Sequence, residues 1–322
     1  MARFGTNFLL HVVQHTLVYY LFASTCKCSS ISHAAKVLIP GPALQGMGHI
    51  QVLSTLTAKL VELGHNVTLL SGSQKCSEKF AASNASQTIY YRSPNATTNP
   101  KFAQELADVK FYDYSLLHHR KIFLAMYNSL AADCRALLSD NNLFEKLKSE
   151  EFDILIGDAL TPCDIFIANI LRIPWIAVTA SREYLCISNF VFRVSAELSY
   201  VPVVGSHKKT DNMTFMQRVH NTFSYFYLNF KLMPYFLNDF IEMKQEYNIA
   251  PNMDLWEMAS KAEIWLSQTS TVLDFPAPGL PNIVPVGGLG VRPPNALPKR
   301  IAWRYIPSIE HYGYNSIGHV GV

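Results

Sequence analysis

Charge is scarce in this sequence. Asp, Glu, Lys and Arg make up 16% of the 322 residues, against the ~25% usual for soluble domains. With 49% hydrophobic residues, the chain buries enough apolar surface to offset its conformational entropy, which excludes intrinsic disorder. Cysteine is sparse as well, and six residues are too few for a disulfide-built scaffold. The net charge of +3 comes without a basic run, so no nucleic-acid partner is expected. No internal repeat is visible, and the mixed composition excludes a collagen or a coiled coil. A Gly-x-Ser-x-Gly elbow and a His-Glu-x-x-His zinc signature are both absent, which leaves serine hydrolases and zinc proteases unsupported. His118 and His119 are adjacent on a helical pattern, point in different directions and read as surface histidines, so no metal site is expected.

Long apolar runs are missing too, and the nearest to one lies at the N-terminus. Met1 to about Ser30 has Arg3, then Phe8-Leu9-Leu10, Val12-Val13 and Leu17 to Ala23, then small and polar residues. That order fits a secretory signal peptide over 1–30. His11, Gln14 and His15 interrupt it and make it a weak membrane span, with a signal anchor as the alternative. Four Asn-x-Ser/Thr sequons, at Asn66, Asn84, Asn95 and Asn212, agree with a secretory route. Asn84 and Asn95 lie in polar, loop-like sequence, whereas Asn66 opens an apolar strand that would occlude it. The expected location is the secretory pathway: the endoplasmic reticulum lumen, its membrane, or outside the cell. There Cys76, Cys134, Cys163 and Cys186 are able to pair, in an arrangement that spacing does not specify.

Beyond the leader, short apolar runs alternate with helical patterns. Lys36–Pro40, Val67–Leu70, Asp153–Gly157, Trp175–Thr179, Ile264–Leu266 and Ile283–Val286 read as buried strands. Their near-continuous apolar character predicts an α/β fold, a Rossmann-like parallel sheet with helices on both faces. From His49, the stripe Ile50, Leu53, Leu56, Leu60 and Leu63 has helical spacing, and Gly64 stands where a left-handed cap belongs. Residues 116–150 and 161–171 read as further helices. In 214–248, ten of 35 residues are Phe or Tyr. The longest charge-free piece of that stretch, Val219 to Phe230, is too short to span a bilayer. It reads as helices on the core and on a hydrophobic ligand, or as a segment in a membrane interface. Proline and glycine crowd 276–298, as in a linker leaving a domain. The expected layout is a signal over 1–30, one domain over 31–290, and a linker and tail over 291–322.

The chemistry-bearing residues sit at strand ends. Gly46-Met-Gly48-His49 opens like a dinucleotide fingerprint, but Gln51 replaces the third glycine. No acidic residue closes the strand at Leu69-Leu70-Ser71, so a nicotinamide cofactor is not expected. That leaves His49 at the mouth of a parallel sheet, where ligands bind, at a helix start whose partial positive charge favours neutral imidazole. Neutral imidazole can take a proton as a general base; the alternative is that His49 merely begins a helix. Asp158 follows the strand Asp153–Gly157 at the same rim. A carboxylate accepting from one imidazole nitrogen fixes the tautomer and stabilises the imidazolium, so the two residues are candidates for a dyad. The alternative for Asp158 is a helix cap, a place for which Thr161 is better suited.

With these residues in view, the sequence resembles the N-terminal half of animal UDP-glycosyltransferases, the family that includes the UDP-glucuronosyltransferases. The resemblance runs from about Lys36 to Lys299. It is carried by His49, Gly64-His-Asn-Val-Thr68, Phe152-Asp-Ile-Leu-Ile-Gly-Asp158-Ala-Leu-Thr-Pro-Cys163, Asp211-Asn-Met-Thr-Phe-Met-Gln-Arg218, Ala262–Pro276 and Pro281–Gly288. It implies the acceptor-binding domain of a GT-B enzyme, with His49 as catalytic base and Asp158 as its partner in a direct inverting displacement. It implies no cofactor, since UDP-sugar is a co-substrate. The implied acceptor is a small lipophilic molecule, walled by the aromatic-rich 184–248. The family's donor signature and C-terminal transmembrane helix are not found, and Arg300 to Val322 departs from the family pattern. UDP-sugar is therefore expected to bind only where a donor domain is supplied. Two readings follow: a glycosyltransferase whose half-length chain is weakly active or inactive alone, or a non-catalytic lumenal fragment. The second would sequester lipophiles, or form oligomers with full-length relatives. A contact with the membrane surface is compatible with either.

Overall fold

The computed structural model describes residues 34–41, 47–72, 85–94, 116–179, 191, 196–203, 211–269, 275, 279–289 and 291. For Met47, residues 116–119 and residues 121–122 it describes the backbone alone. The N-terminal leader, Asn84, Asn95, Cys76 and Cys186 lie outside the described residues. The chain divides into two compact units, Met1–Leu289 and Gly290–Val322, and every element below belongs to the first.

Seven strands form one sheet: β1 (Lys36–Pro40), β2 (Asn66–Ser71), β3 (Gln87–Tyr90), β4 (Ile154–Asp158), β5 (Trp175–Thr179), β6 (Ile264–Ser267) and β7 (Ile283–Pro285). The order is β3-β2-β1-β4-β5-β6-β7, and every neighbouring pair is parallel. The expected α/β fold is therefore present. Side chains alternate between two cores, as a sheet covered on both faces requires. Val37, Ile39, Ile154 and Ile156 face one core, while Leu38 and Leu155 face the other.

Two strand details differ from expectation. β4 ends at Asp158 rather than Gly157, so the carboxylate sits on the last residue of the strand. β3 was not foreseen: it is a short edge strand, and Ile89 is its one buried residue, too little apolar signal to separate it from a loop.

Helix α1 (Met47–Glu62) covers the first core. Ile50, Leu53, Leu56 and Leu60 are each at most 4% exposed and pack with Val37, Ile39 and Val67. At about 1.5–3 kcal/mol per buried aliphatic side chain, that stripe contributes roughly 6–12 kcal/mol before entropy is subtracted. Gly64 ends the helix at φ +89°, and the His65 amide bonds back to the Leu60 carbonyl at 3.0 Å, the reversal that a left-handed residue allows.

The opposite face carries α2 (Leu116–Leu138), α3 (Asn141–Ser149) and α4 (Pro162–Leu171). Cys134 on α2 and Cys163 on α4 form a disulfide with Cα atoms 5.5 Å apart, which gives one pair of the four cysteines whose pairing spacing left open. Later in the chain come α5 (Phe215–Tyr227), a π-helical turn (Leu228–Leu232), α6 (Met233–Phe236), α7 (Asn238–Glu246) and α8 (Leu255–Ser260). The π turn answers Pro234: proline offers no N–H to the Phe230 carbonyl, and a widened turn relieves the clash. Phe236, Phe240 and Met243 fulfil the reading of 214–248 as helices on the core. Helix α5 does not, because it turns Phe223 and Phe226 outward. Among the described residues, no helix is long and apolar enough to cross a membrane.

Candidate active site at the switch point of the sheet

The strand order reverses between β1 and β4: the chain leaves β1 toward β2 and β3, then returns to place β4 on β1's other side. In a sheet of this kind a crevice opens at that point, outside the carboxyl ends of the strands. His49 is the third residue of α1, the helix after β1, and Asp158 ends β4. Topology thus brings together the two residues singled out from sequence across 109 positions. His49 Nδ1 lies 2.6 Å from Asp158 Oδ2.

A carboxylate offers only acceptors, so Nδ1 carries the proton in this contact. His49 is partly exposed, at 22% of its side chain, whereas Asp158 is almost closed off at 5%. A sealed carboxylate holds an accessible imidazole.

Asp158 is itself held from three directions. Its Oδ2 takes His49, and its Oδ1 accepts the Leu160 amide at 3.0 Å. Its own N–H donates to Asp164 Oδ2 at 2.8 Å. The cap expected of Thr161 is only positional: Thr161 precedes Pro162 at the start of α4, but its hydroxyl makes no capping bond. Asp158 instead bonds the Leu160 amide two residues on, an Asx turn ahead of α4 that caps none of the helix's own amides.

Asp164 had no signal in the sequence. It lies in the first turn of α4, 4% exposed. Gly157 makes room for it: a Cβ at 157 would sit 2.7 Å from Asp164 Cβ and 2.7 Å from its Oδ2. Burial first, and then the charge of Asp158, push the Asp164 carboxyl well above the usual range, against the opposing hydrogen bond from the Asp158 amide. A neutral Asp164 supports the Asp158 backbone without adding a second negative charge beside it. Tyr127 is buried nearby and is pushed upward by burial and then by the Asp158 charge, so its phenol stays protonated.

A small apolar cavity borders the site. Its wall includes Tyr127, Ala159, Leu160, Val191, Met233 and Leu237. Ala159 and Leu160 follow Asp158 directly, and Val191, Met233 and Leu237 come from the aromatic-rich region expected to wall an acceptor. Of the sequons, Asn212 and Asn66 are both exposed; Asn66 stands in solvent although the strand behind it is buried. The side chains of His118 and His119 lie outside the described residues. Among the described residues no cluster of His, Cys, Asp and Glu is able to hold a metal ion.

Comparison with known proteins supplies the wider setting. The family described as UDP-glucoronosyl and UDP-glucosyl transferase is matched over residues 36–320. UDP-glucuronosyltransferase 2B7 of Rattus norvegicus is 31% identical over 263 residues, covering 79% of this chain and 49% of that protein. The 2-hydroxyacylsphingosine 1-beta-galactosyltransferase of Mus musculus is 28% identical over 294 residues, covering 88% and 50%. The chain spans about half the length of these curated relatives. A solved UDP-glucosyltransferase from Polygonum tinctorium aligns with a TM-score of 0.44 at 15% identity, covering 85% of this chain and 57% of that one.

Proposed function

The chain belongs to the UDP-glucoronosyl and UDP-glucosyl transferase family, and from that premise we propose that it carries the acceptor-activating half of a glycosyl transfer. The reaction is transfer of a glucuronosyl or hexosyl group from a UDP-sugar to the hydroxyl of a small lipophilic acceptor. His49 is the general base and Asp158 its partner. His49 Nε2 takes the hydroxyl proton as the acceptor oxygen attacks the anomeric carbon. The bond to the UDP oxygen breaks in the same displacement, inverting that carbon, and UDP leaves with the electron pair. Asp158, already on Nδ1, stabilises the imidazolium that results.

The observation that carries this reading is the 2.6 Å contact between His49 Nδ1 and Asp158 Oδ2 at the switch point. Sealing the carboxylate strengthens the pair, since charge is less screened away from water, while the imidazole keeps 22% of its side chain exposed. The apolar cavity bordering Ala159 and Leu160 supports a lipophilic acceptor. The disulfide between Cys134 and Cys163 supports an oxidising compartment, hence the secretory pathway, where the exposed Asn66 and Asn212 are candidates for glycosylation.

The test is transfer from radiolabelled UDP-sugars to phenolic and sterol acceptors, with a donor domain supplied in the same chain. His49→Ala is expected to lower kcat/KM by about 10²–10⁴, the usual worth of a general base, with acceptor affinity unchanged. Near-normal turnover would remove His49 from the base role.

A further inference from the structure

Helix α5 is turned inside out. Its buried side carries polar groups that the protein uses. Asn221 is 0% exposed. Its side-chain oxygen accepts from the Val203 amide at 2.9 Å, and its NH₂ donates to the carbonyls of Leu198 at 2.9 Å and Val201 at 2.8 Å. Ser224 and, in the π turn, Asn229 are buried with it. These bonds set the rotation of the helix. A rolled helix would strip three bonds from a buried amide, which leaves its polar atoms unpaired and is strongly disfavoured.

The outward side is apolar. Phe215, Met216, Phe223, Phe226, Tyr227 and Phe230 are between 42% and 71% exposed. At about 100° per residue the five on α5 share one arc of roughly 120°, and Phe226 stacks on Phe230 with centroids 6.0 Å apart, extending the stripe onto the π turn. With ~200 Å² per side chain, the stripe exposes roughly 700 Å² of mostly apolar surface. The largest patch on a typical monomer is ~300–600 Å². A patch of this size, held outward by specific bonds on the other side of the helix, has the character of an interaction surface.

Charge selects the occupant. Between Asp211 and Asp239 no acidic residue occurs. Arg218 and Lys231 are both exposed: Arg218 borders the apolar arc on the same wheel, with its guanidinium bonded to the Met213 carbonyl at 2.8 Å, and Lys231 follows Phe230 on the π turn. We propose that this outward face of α5 docks on an anionic lipid surface, its rings entering the headgroup boundary and its two basic groups meeting lipid phosphates. That is the pattern of an interfacial amphipathic helix. A second copy of the chain fits less well. A two-fold contact sets the same patch against itself, and this patch has basic neighbours with no acidic residue between Asp211 and Asp239 to answer them.

The test is site-specific photocrosslinking in the full chain, with photoreactive benzoylphenylalanine in place of Phe223. The chain is presented with vesicles of phosphatidylcholine, with and without phosphatidylserine. Lipid adducts are expected, several-fold more abundant when phosphatidylserine is present. The same group in place of Glu145, exposed on α3, is expected to give none, which separates this face from any other membrane-binding part of the chain. The pair Phe226→Glu and Phe230→Glu is expected to cut the Phe223-site adducts about tenfold or more, with thermal unfolding unchanged. Chain–chain adducts in place of lipid adducts would overturn the proposal in favour of self-association. So would absence of adducts, or equal yield on both vesicle types.

Discussion

Removing the carboxyl of Asp164 tests whether the site depends on a residue that never touches substrate. In Asp164→Ala the Asp158 amide loses the acceptor that now sits 2.8 Å away. A buried N–H left unmade costs about 1–3 kcal/mol. A protein of this size loses roughly 2–4 °C of Tm per kcal/mol, so thermal unfolding is expected about 2–12 °C lower. Asp164→Asn keeps the acceptor oxygen and mimics the protonated acid, and its Tm is expected close to wild type. The pH dependence then separates the two neutral forms. Asp164 holds its proton more tightly folded than unfolded, so the folded state binds more protons and stability falls as pH rises above the ordinary carboxyl value of about 3.9. Asparagine cannot titrate, so its advantage over wild type grows with pH. A structural role alone would stop there. A positioning role also reaches His49: in ¹⁵N spectra of the imidazole, wild type and Asp164→Asn should show Nδ1 protonated, and Asp164→Ala should show the tautomers mixing. If Asp164→Ala unfolds within about 1 °C of wild type and leaves the His49 spectrum unchanged, Asp164 does not hold the dyad.

Other perturbations follow from the same contacts. Gly157→Ala drives a Cβ to within 2.7 Å of Asp164 and is expected to cost about 1–3 kcal/mol of overpacking, measured by urea unfolding at constant m-value. Asp158→Asn removes the charge that stabilises imidazolium and is expected to lower transfer by up to about 10⁴ while acceptor binding persists; a loss under tenfold would dissociate Asp158 from the base. Reducing the bond between Cys134 and Cys163 opens a cross-link of 29-residue separation and is expected to cost roughly 3–4 kcal/mol by loop entropy, read as a lower urea midpoint in reductant than in air.

Most of the sheet was readable because its strands are buried on both faces. Val37, Leu38 and Ile39 are each at most 1% exposed, and a run with no polar alternation admits few other places in a fold. The same logic explains the missed strand: at the edge of the sheet, β3 buries Ile89 and leaves Tyr90 exposed, so its composition is that of a loop. What a linear pattern could not supply is lateral order. Nothing in Lys36–Pro40 or Ile154–Asp158 says that they pair, yet the register Val37↔Ile154 and Leu38↔Leu155 is what aligns their carboxyl ends and brings Asp158 under His49.

Residues whose roles depend on a partner's shape were hidden for a deeper reason. Gly157 read as a strand end and Asp164 as one more position on a helix; each has meaning only as the other's neighbour, one missing a Cβ where the other places a carboxyl. Helix α5 poses the same problem in reverse. Its aromatic wealth was plain, and apolar stripes ordinarily point inward. The outcome was decided by Asn221, whose amide satisfies Leu198, Val201 and Val203 at once. Rolling the helix to bury the rings would leave those buried polar groups unpaired, at about 1–3 kcal/mol each. Both the dyad and the outward face thus rest on small polar residues with many bonds, a kind of information that hydrophobic periodicity does not contain.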